Sequence, residues 1–287
     1  MSYLKKYIKA LISIHVKIFN FSITKALRSS NKKIATTAAN INFRLKGLAL
    51  KIKYEEELNL FSITDGKDKH YFGDLLRGIN CYKNGINYRA HELFSSYLLE
   101  NIRFDLDDIV IDCGANYGDL WLSLKEKISP SSYITFEPGI LEHLSIKNNA
   151  PLGIHNQLGL SNKKDVVTFY VNEEGGDSSI VEPIKYFKTI EIETITLTEY
   201  VTENSISHIK LLKLEAEGFE PEILEGAIEI LNRVSYISID GGYERGINEE
   251  ETFSELTNKL LKNGFEMVSV NLVFGRAIFK NSNLWIH

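Results

Sequence analysis

The sequence predicts an α/β fold built on a mainly parallel sheet with helices on both faces. Three observations carry that expectation. Short apolar runs alternate with amphipathic stretches from about residue 109 to the end of the chain. The first of these runs, Ile109 to Asp112, empties into two glycines spaced four apart, Gly114 and Gly118. The last two, Phe265 to Val270 and Arg276 to Lys280, lie close enough to pair as a closing hairpin. Alternation of this kind brings strands side by side through crossover helices, so that both faces of the sheet are covered.

The elements before that core have a different character. From Met1 to Tyr54 there are twelve Lys or Arg and no Asp or Glu, which leaves 21 basic and 38 acidic residues, a balance of -17, in the remainder of a chain whose net charge is -5. Leu4, Ile8, Leu11, Ile12, Ile18 and Phe19 recur at helical spacing, with Lys5, Lys6, Lys9 and Lys17 largely off that stripe. The pattern fits either a basic helix lying on an anionic membrane surface or a cap that packs its stripe on the acidic body. Nucleic acid is not expected as a partner, because the acidic body repels phosphate. No run approaches twenty apolar residues, and no apolar core is followed by a small-residue cleavage site. Residues 55–108 read as mostly helical, with a turn at Lys83-Asn84-Gly85. The expected organisation is a basic helical region or cap over residues 1–88 and an α/β domain over 89–287. Two cysteines, Cys81 and Cys113, are too few for a disulfide framework and suit a reducing compartment, with Cys113 a small buried hydrophobe.

The turn after the first core strand is built to grip a cofactor. Gly114 lets the backbone come close to a ligand, and Gly118 lets the following helix start against the strand. The second strand, Tyr133 to Phe136, leads into Glu137, about twenty residues on, where an acid can take both hydroxyls of a ribose. A dinucleotide fingerprint needs glycine where this chain has Asn116, so pyrophosphate fits poorly. S-adenosylmethionine carries no phosphate. Its amino-acid end needs an acceptor such as Asp112 with the backbone groups of Gly114, Ala115, Asn116, Tyr117 and Gly118, its ribose needs Glu137, and its adenine is expected between Pro138 and the Gly159-Leu160 segment.

A third strand is read near Ile154 to Leu160. Val166 to Val171 and Ile190 to Leu197 look like an inserted hairpin, joined by the glycine-bearing loop Asn172 to Val181, placed to cover a substrate. The fourth strand, Ile209 to Glu215, runs into Ala216-Glu217-Gly218-Phe219-Glu220-Pro221. Ligands of open parallel sheets bind beyond the carboxyl ends of the strands, so Glu215 and Glu217 should face the crevice of Asp112 and Glu137. Glu220 is read as a solvated first-turn acid, and Ile223, Leu224, Ala227, Ile228 and Leu231 as the core stripe of the helix that Pro221 opens. The fifth strand, Val234 to Asp240, ends in another acid.

The segments Ile111 to Gly118, Phe136 to Pro138, Leu160 to Lys163 with Val167 to Phe169, Thr196 to Tyr200, and Leu212 to Glu220 followed by Leu224 to Ala227 occur in the order found in the FkbM family of S-adenosylmethionine-dependent methyltransferases, which the chain resembles over about residues 108–240. The resemblance implies a Rossmann-like class I methyltransferase fold, with a seven-stranded, mainly parallel sheet, a terminal antiparallel hairpin and, in this chain, an N-terminal helical extension. It also implies methyl transfer to a hydroxyl of a sugar, glycan or related natural product. The family usually has Asp where Glu215 stands, Glu where Asp240 stands and a branched apolar residue where Cys113 stands. Glu217 is expected to be the base or acceptor-orienting group, with Glu215 and Asp240 beside it. Carboxylates at the ends of adjacent strands, Glu215 or Glu217 with Asp240, could instead hold a divalent ion, the less favoured arrangement. His91, His143, His155 and His208 show no ligand spacing. Tyr82, Tyr88 and Arg89, in the stretch Lys46 to Arg89, are available to a sugar ring. A bacterial glycan, lipid-linked or nucleotide-linked, is the expected acceptor, and the protein is expected in the cytoplasm or peripherally at the inner membrane face. Two further readings stand beside this one: a non-catalytic cofactor- or glycan-binding module on the same scaffold, and a nucleotide-sugar or nicotinamide enzyme.

Overall fold

The computed structural model describes residues 22–172 and 177–285. The stripe from Leu4 to Phe19 lies outside the described residues. The chain divides into two compact units, through Ile86 and from Asn87 onward. Among the described residues no helix is long and apolar enough to cross a membrane.

In the first unit, the helix Lys32–Leu45 starts at Asn31, whose side chain accepts the Lys33 and Ile34 N–H groups. It buries Ala35, Ala38, Ala39 and Phe43, a face of small residues that lets Asn40 reach the neighbouring strand and bond both the N–H and the C=O of Ile52, at 2.7 and 2.8 Å. Three strands follow, β1 (Lys51–Glu55), β2 (Leu60–Asp65) and β3 (Asp68–Phe72), as an antiparallel meander. This corrects the mostly helical reading of residues 55–108, since helix begins only at Leu75–Tyr82 and continues with Ile86–Ser96. The missed signal is the Asp65-Gly66 pair. Gly66 takes a φ of 61°, and Asp65 pairs with Asp68 across the turn, the chemistry of a tight hairpin.

The second unit holds β4 (Val110–Cys113), β5 (Tyr133–Phe136), β6 (Ile154–Asn156), β7 (Gly159–Ser161), β8 (Asp165–Val171), β9 (Lys188–Thr196), β10 (Ile209–Leu214), β11 (Val234–Asp240), β12 (Tyr243–Arg245), β13 (Glu250–Glu251), β14 (Phe265–Asn271) and β15 (Arg276–Asn281). Seven form the central sheet in the order β6-β5-β4-β10-β11-β15-β14, parallel except for the closing hairpin. That is the mainly parallel sheet and terminal hairpin the sequence predicts. Both faces are buried. Ile111, Cys113, Ile134, Phe136, Leu212 and Leu214 pack in one core, while Val110, Tyr133, Leu211 and Ile278 pack in the other with Trp121 and Leu124.

Three expectations need correcting. The third strand stops at Asn156, and Gly159–Ser161 pairs instead with β9 in a separate three-stranded sheet, β7-β9-β8. The helix after Gly118 shrinks to Trp121–Leu124, because successive bonds from residue i+3 to residue i, such as Trp121 N to Gly118 O, wind the chain into tighter turns. Ile228 is 46% exposed and Ile230 takes its place in the core, since the helix Glu220–Glu225 gives way at Gly226 to a 3-10 stretch that shifts the phase of the stripe. A side chain at Gly226 would stand 2.1 Å from the Ser161 carbonyl oxygen, so the chain must pass bare at that point.

Strand order reverses between β4 and β10, with β5 on one side and β11 on the other. The crevice beyond their carboxyl ends is where such sheets take ligands.

Candidate active site

Register sets the first contact. Asp112 on β4 is paired with Lys213 on β10, both on the same face of the sheet. Lys213 is 2% exposed, and its ammonium lies 3.1 Å from Asp112 Oδ1 and 2.9 Å from Glu215 Oε2, and donates to the carbonyls of Cys113 (3.1 Å) and Gly114 (2.8 Å). Burial works against its charge, but Asp112 and Glu215 outweigh that and push its pKa well up. Asp112 accepts the Tyr133 hydroxyl on Oδ2 at 2.5 Å, while Oδ1, ion-paired to Lys213, has no aligned hydrogen bond.

The glycine turn that follows is left-handed at three positions, with φ of 69° at Gly114, 49° at Asn116 and 76° at Gly118. At Gly114 nothing but glycine fits, since a Cβ would stand 1.8 Å from the Glu215 carbonyl oxygen. Glu137 is held over this turn, accepting Asn116 N on Oε2 and Gly139 N on Oε1, both at 2.9 Å. Each oxygen keeps a lone pair for another donor. Burial, then Glu142, pushes Glu137 up to about 7, against the two N–H groups and Lys213. Ala115 and Tyr117 are buried, with the Ala115 carbonyl accepting Gly118 N (2.8 Å) and the Tyr117 carbonyl accepting Asn149 Nδ2 (2.7 Å), whereas Pro138 is partly open. Leu160 is buried in the core with Ile195 and Leu197, and Gly159 packs against Ile192 and Thr194.

On the opposite wall the expected catalytic acids separate into two kinds. Glu215 is fully engaged: Tyr97 donates its hydroxyl to Oε2, Lys213 pairs with the same oxygen, and the Arg276 guanidinium lies 3.5 Å from Oε1. Burial opposes its charge, but Lys213, Arg276 and the Tyr97 hydroxyl prevail and hold Glu215 at about 2. Asp240 is gripped by Arg276 through two nitrogens at 2.6 Å each. Burial and Glu215 still raise it, with Arg276 opposing. The Arg276 guanidinium stacks 5.0 Å from the Tyr97 ring centre, and Arg276 also donates to Ser96 Oγ.

Glu217 differs from both. Its φ of 51° is left-handed, a costly conformation for a side chain with a Cβ. The backbone around it is tied from three sides. Glu220 Oε1 accepts the N–H groups of Ala216 (2.6 Å) and Gly218 (3.2 Å), Arg245 donates to the Gly218 carbonyl (2.5 Å) while clasping Glu222, and Ser179 Oγ donates to the Glu217 carbonyl (2.8 Å). Among the described residues no hydrogen bond or ion pair engages the Glu217 carboxylate itself. Burial, then Glu244, Glu215, Asp177 and Glu220, push its pKa well up. The reading of Glu220 as solvated is therefore corrected. It is 0% exposed, folded back to cap the loop it follows and bonded also to Thr252 at 3.2 Å, with burial raising it to about 7. Glu244, on β12, points a carboxylate toward the same acids. Although open to solvent on one side, it is pushed up to about 8 by burial, then Asp240, Glu215 and Glu220.

Lys213, Tyr97, Arg276, Glu220, Glu244, Arg245 and Ser179 were not assigned from the sequence. A lysine inside the apolar run Ile209 to Leu214 was a legible signal, and so was an arginine opening the strand beside Asp240. Tyr82, offered to a sugar ring, is wholly buried against Phe72 and His70, and Arg89 is paired with Asp119 and Glu92. Tyr88 is half exposed. Among the described residues no group of His, Cys, Asp and Glu has metal-binding geometry.

The model of the methyltransferase FkbM domain matches residues 112–267, more than half of the chain and all of this crevice from Asp112 through Glu244. The chain belongs to the FkbM methyltransferase family. Solved structures are similar to this FkbM-family chain at low identity. The FkbM methyltransferase of Methylobacillus flagellatus shares 15% identity at a TM-score of 0.45, over 94% of this chain and 60% of that one, so the chain spans less than two thirds of that relative. The fibrillarin pre-rRNA processing protein of Methanococcus jannaschii shares 13% at 0.38, over 80% and 96%. A TehB-like SAM-dependent methyltransferase of Corynebacterium glutamicum shares 11% at 0.36, over 69% and 98%. No curated protein matches this FkbM-family chain in sequence.

Proposed function

We propose that the protein is an S-adenosylmethionine-dependent O-methyltransferase acting on a hydroxyl of a sugar, glycan or related natural product, with Glu217 as the base. The observation that carries this reading is the state of Glu217, a strained acid with a raised pKa and, among the described residues, no partner for its carboxylate, across the switch point from the glycine turn. The turn suits the cofactor. Asp112 Oδ1, 3.1 Å from the Lys213 ammonium and lacking an aligned hydrogen bond, keeps acceptor capacity for a second ammonium, and Glu137 retains two lone pairs fit for ribose hydroxyls. Asp112, the backbone of residues 114–118 and Glu137 would hold the group. Bound there, S-adenosylmethionine supplies an electrophilic methyl.

The remaining work belongs to the chain. Glu217 accepts the proton of the acceptor hydroxyl as the oxygen becomes a nucleophile, a role that a carboxylate of raised basicity fills best. Glu215 and Asp240, neutralised by Lys213 and Arg276, fix the wall from which Glu217 projects. Their pairing to cations leaves little of either carboxylate for a divalent ion, and the metal-free arrangement is favoured. Peripheral contact with an inner membrane face through the basic N-terminal segment belongs to the same proposal.

Glu217→Gln keeps the volume and removes the base. Measured as transfer of labelled methyl from S-adenosylmethionine to an extracted glycan fraction, turnover is expected to fall about 10²- to 10⁴-fold. The affinity for S-adenosylhomocysteine should stay unchanged. Unchanged turnover would remove Glu217 from the role.

A further inference from the structure

We infer that Ser179 is a positioning residue for Glu217, so that residues 177–181, between β8 and β9, form part of the catalytic device. The inference rests on reading Glu217 as the acid that faces the acceptor, and the test below separates the two.

Ser179 is 2% exposed and every polar group it carries is used. Its backbone exchanges two hydrogen bonds with Tyr170 on β8, at 2.8 and 3.1 Å. Its hydroxyl accepts Val181 N at 3.1 Å and donates to the Glu217 carbonyl at 2.8 Å. The first pair anchors Ser179 to a strand, and the second passes that rigidity to residue 217. A left-handed, non-glycine residue persists only where its surroundings over-determine it. At 217 those surroundings are Glu220 on the flanking N–H groups, Arg245 on the Gly218 carbonyl and Ser179 on the carbonyl of the strained residue itself. Glu220 and Arg245 lie on segments that follow β10. Ser179 is the tie that comes from between β8 and β9.

Its removal has a defined consequence. Without the hydroxyl, the 217 peptide loses a buried donor and can relax toward ordinary backbone angles, swinging the carboxylate away from Glu244, Glu215, Asp177 and Glu220, the groups that face it. A carboxylate so released returns toward ordinary acidity.

The experiment is a carboxyl ¹³C titration of glutamate-labelled protein, with Glu217→Gln identifying the signal. In the unaltered chain the Glu217 midpoint stands well above that of an ordinary glutamate. Ser179→Ala is expected to lower it by about one unit, and Ser179→Thr, which keeps the hydroxyl, to restore it. Should the alanine variant not fold, Ser179→Cys, close in volume and a weaker donor, takes its place. An unmoved midpoint in a folded Ser179 variant overturns the inference. A lowered midpoint together with undiminished methyl transfer in Glu217→Gln keeps the positioning and removes the catalytic role. An unmoved midpoint together with transfer lost in Glu217→Gln does the reverse.

Discussion

Lys213 holds the two walls of the crevice to one another. Its ammonium touches Asp112 and two carbonyls at the end of β4 and Glu215 at the end of β10, and it is 2% exposed. Four negative or dipolar partners around one buried cation form an arrangement stable only as a set, because removing the cation leaves two carboxylates facing each other without compensation. Lys213→Met should therefore cost about 3 to 5 kcal/mol in thermal or denaturant unfolding, well beyond an ordinary surface change. A loss below 1 kcal/mol would show that the network contributes no net stability. Glu217 shows the opposite logic, an acid left without a partner among the described residues and held in a strained conformation. The sequence made Glu217 visible as a member of an acidic motif. It could not show that Glu215, two residues away, is neutralised and spent, because the Lys213 side chain reaches it only through the sheet register and Arg276 and Tyr97 reach it from distant parts of the chain.

At the scale of elements, legibility followed how local the deciding interaction is. The strand Val234–Asp240 and the hairpin β14–β15 were readable because continuous apolar runs between turn residues have few other ways to be buried. The meander β1–β3 runs against the mostly helical reading of residues 55–108, and the Asp65-Gly66 turn is the local signal that announces it. The stripe after Pro221 failed at Ile228 for a non-local reason, the passage of Gly226 against the Ser161 carbonyl. Glu220 was misjudged in the same way. The first turn of a helix usually points acids to water, and nothing nearby in the chain indicates that the preceding loop, with its bare N–H groups at 216 and 218, folds over this one.

Over the whole molecule, buried carboxyl groups dominate the dependence of stability on pH, with His143 and His155, whose pKa values burial lowers, acting in the opposite direction below 6.5. Glu137 and Glu220 at about 7 and Glu244 at about 8 bind a proton more tightly in the folded chain than the ordinary value of 4.5 allows. For such groups the folded state carries more protons than the unfolded one between 4.5 and 8, so stability is lost as pH rises through that window. Glu55 and Glu215, both held at about 2, act with the opposite sign, and the stability they contribute above 4.5 is lost as pH falls toward 2. The ligand-free protein should melt highest in mildly acidic buffer, at about pH 5, and progressively lower up to pH 8.5. Scanning calorimetry at low salt tests the sign, and a melting temperature that rises steadily from pH 5 to 8.5 contradicts it.

The central claim is that the crevice between β4 and β10 seats an adenosyl sulfonium, with its ribose on Glu137. Titration calorimetry of S-adenosylhomocysteine into the protein, alongside Glu137→Ala and a nicotinamide dinucleotide control, tests it most directly. The account predicts one site per chain, a loss of about 1.5 to 3 kcal/mol in the alanine variant, the scale of hydrogen bonds to a charged group, and no heat from the dinucleotide. Absence of S-adenosylhomocysteine binding, or an affinity indifferent to the loss of the Glu137 carboxylate, contradicts it.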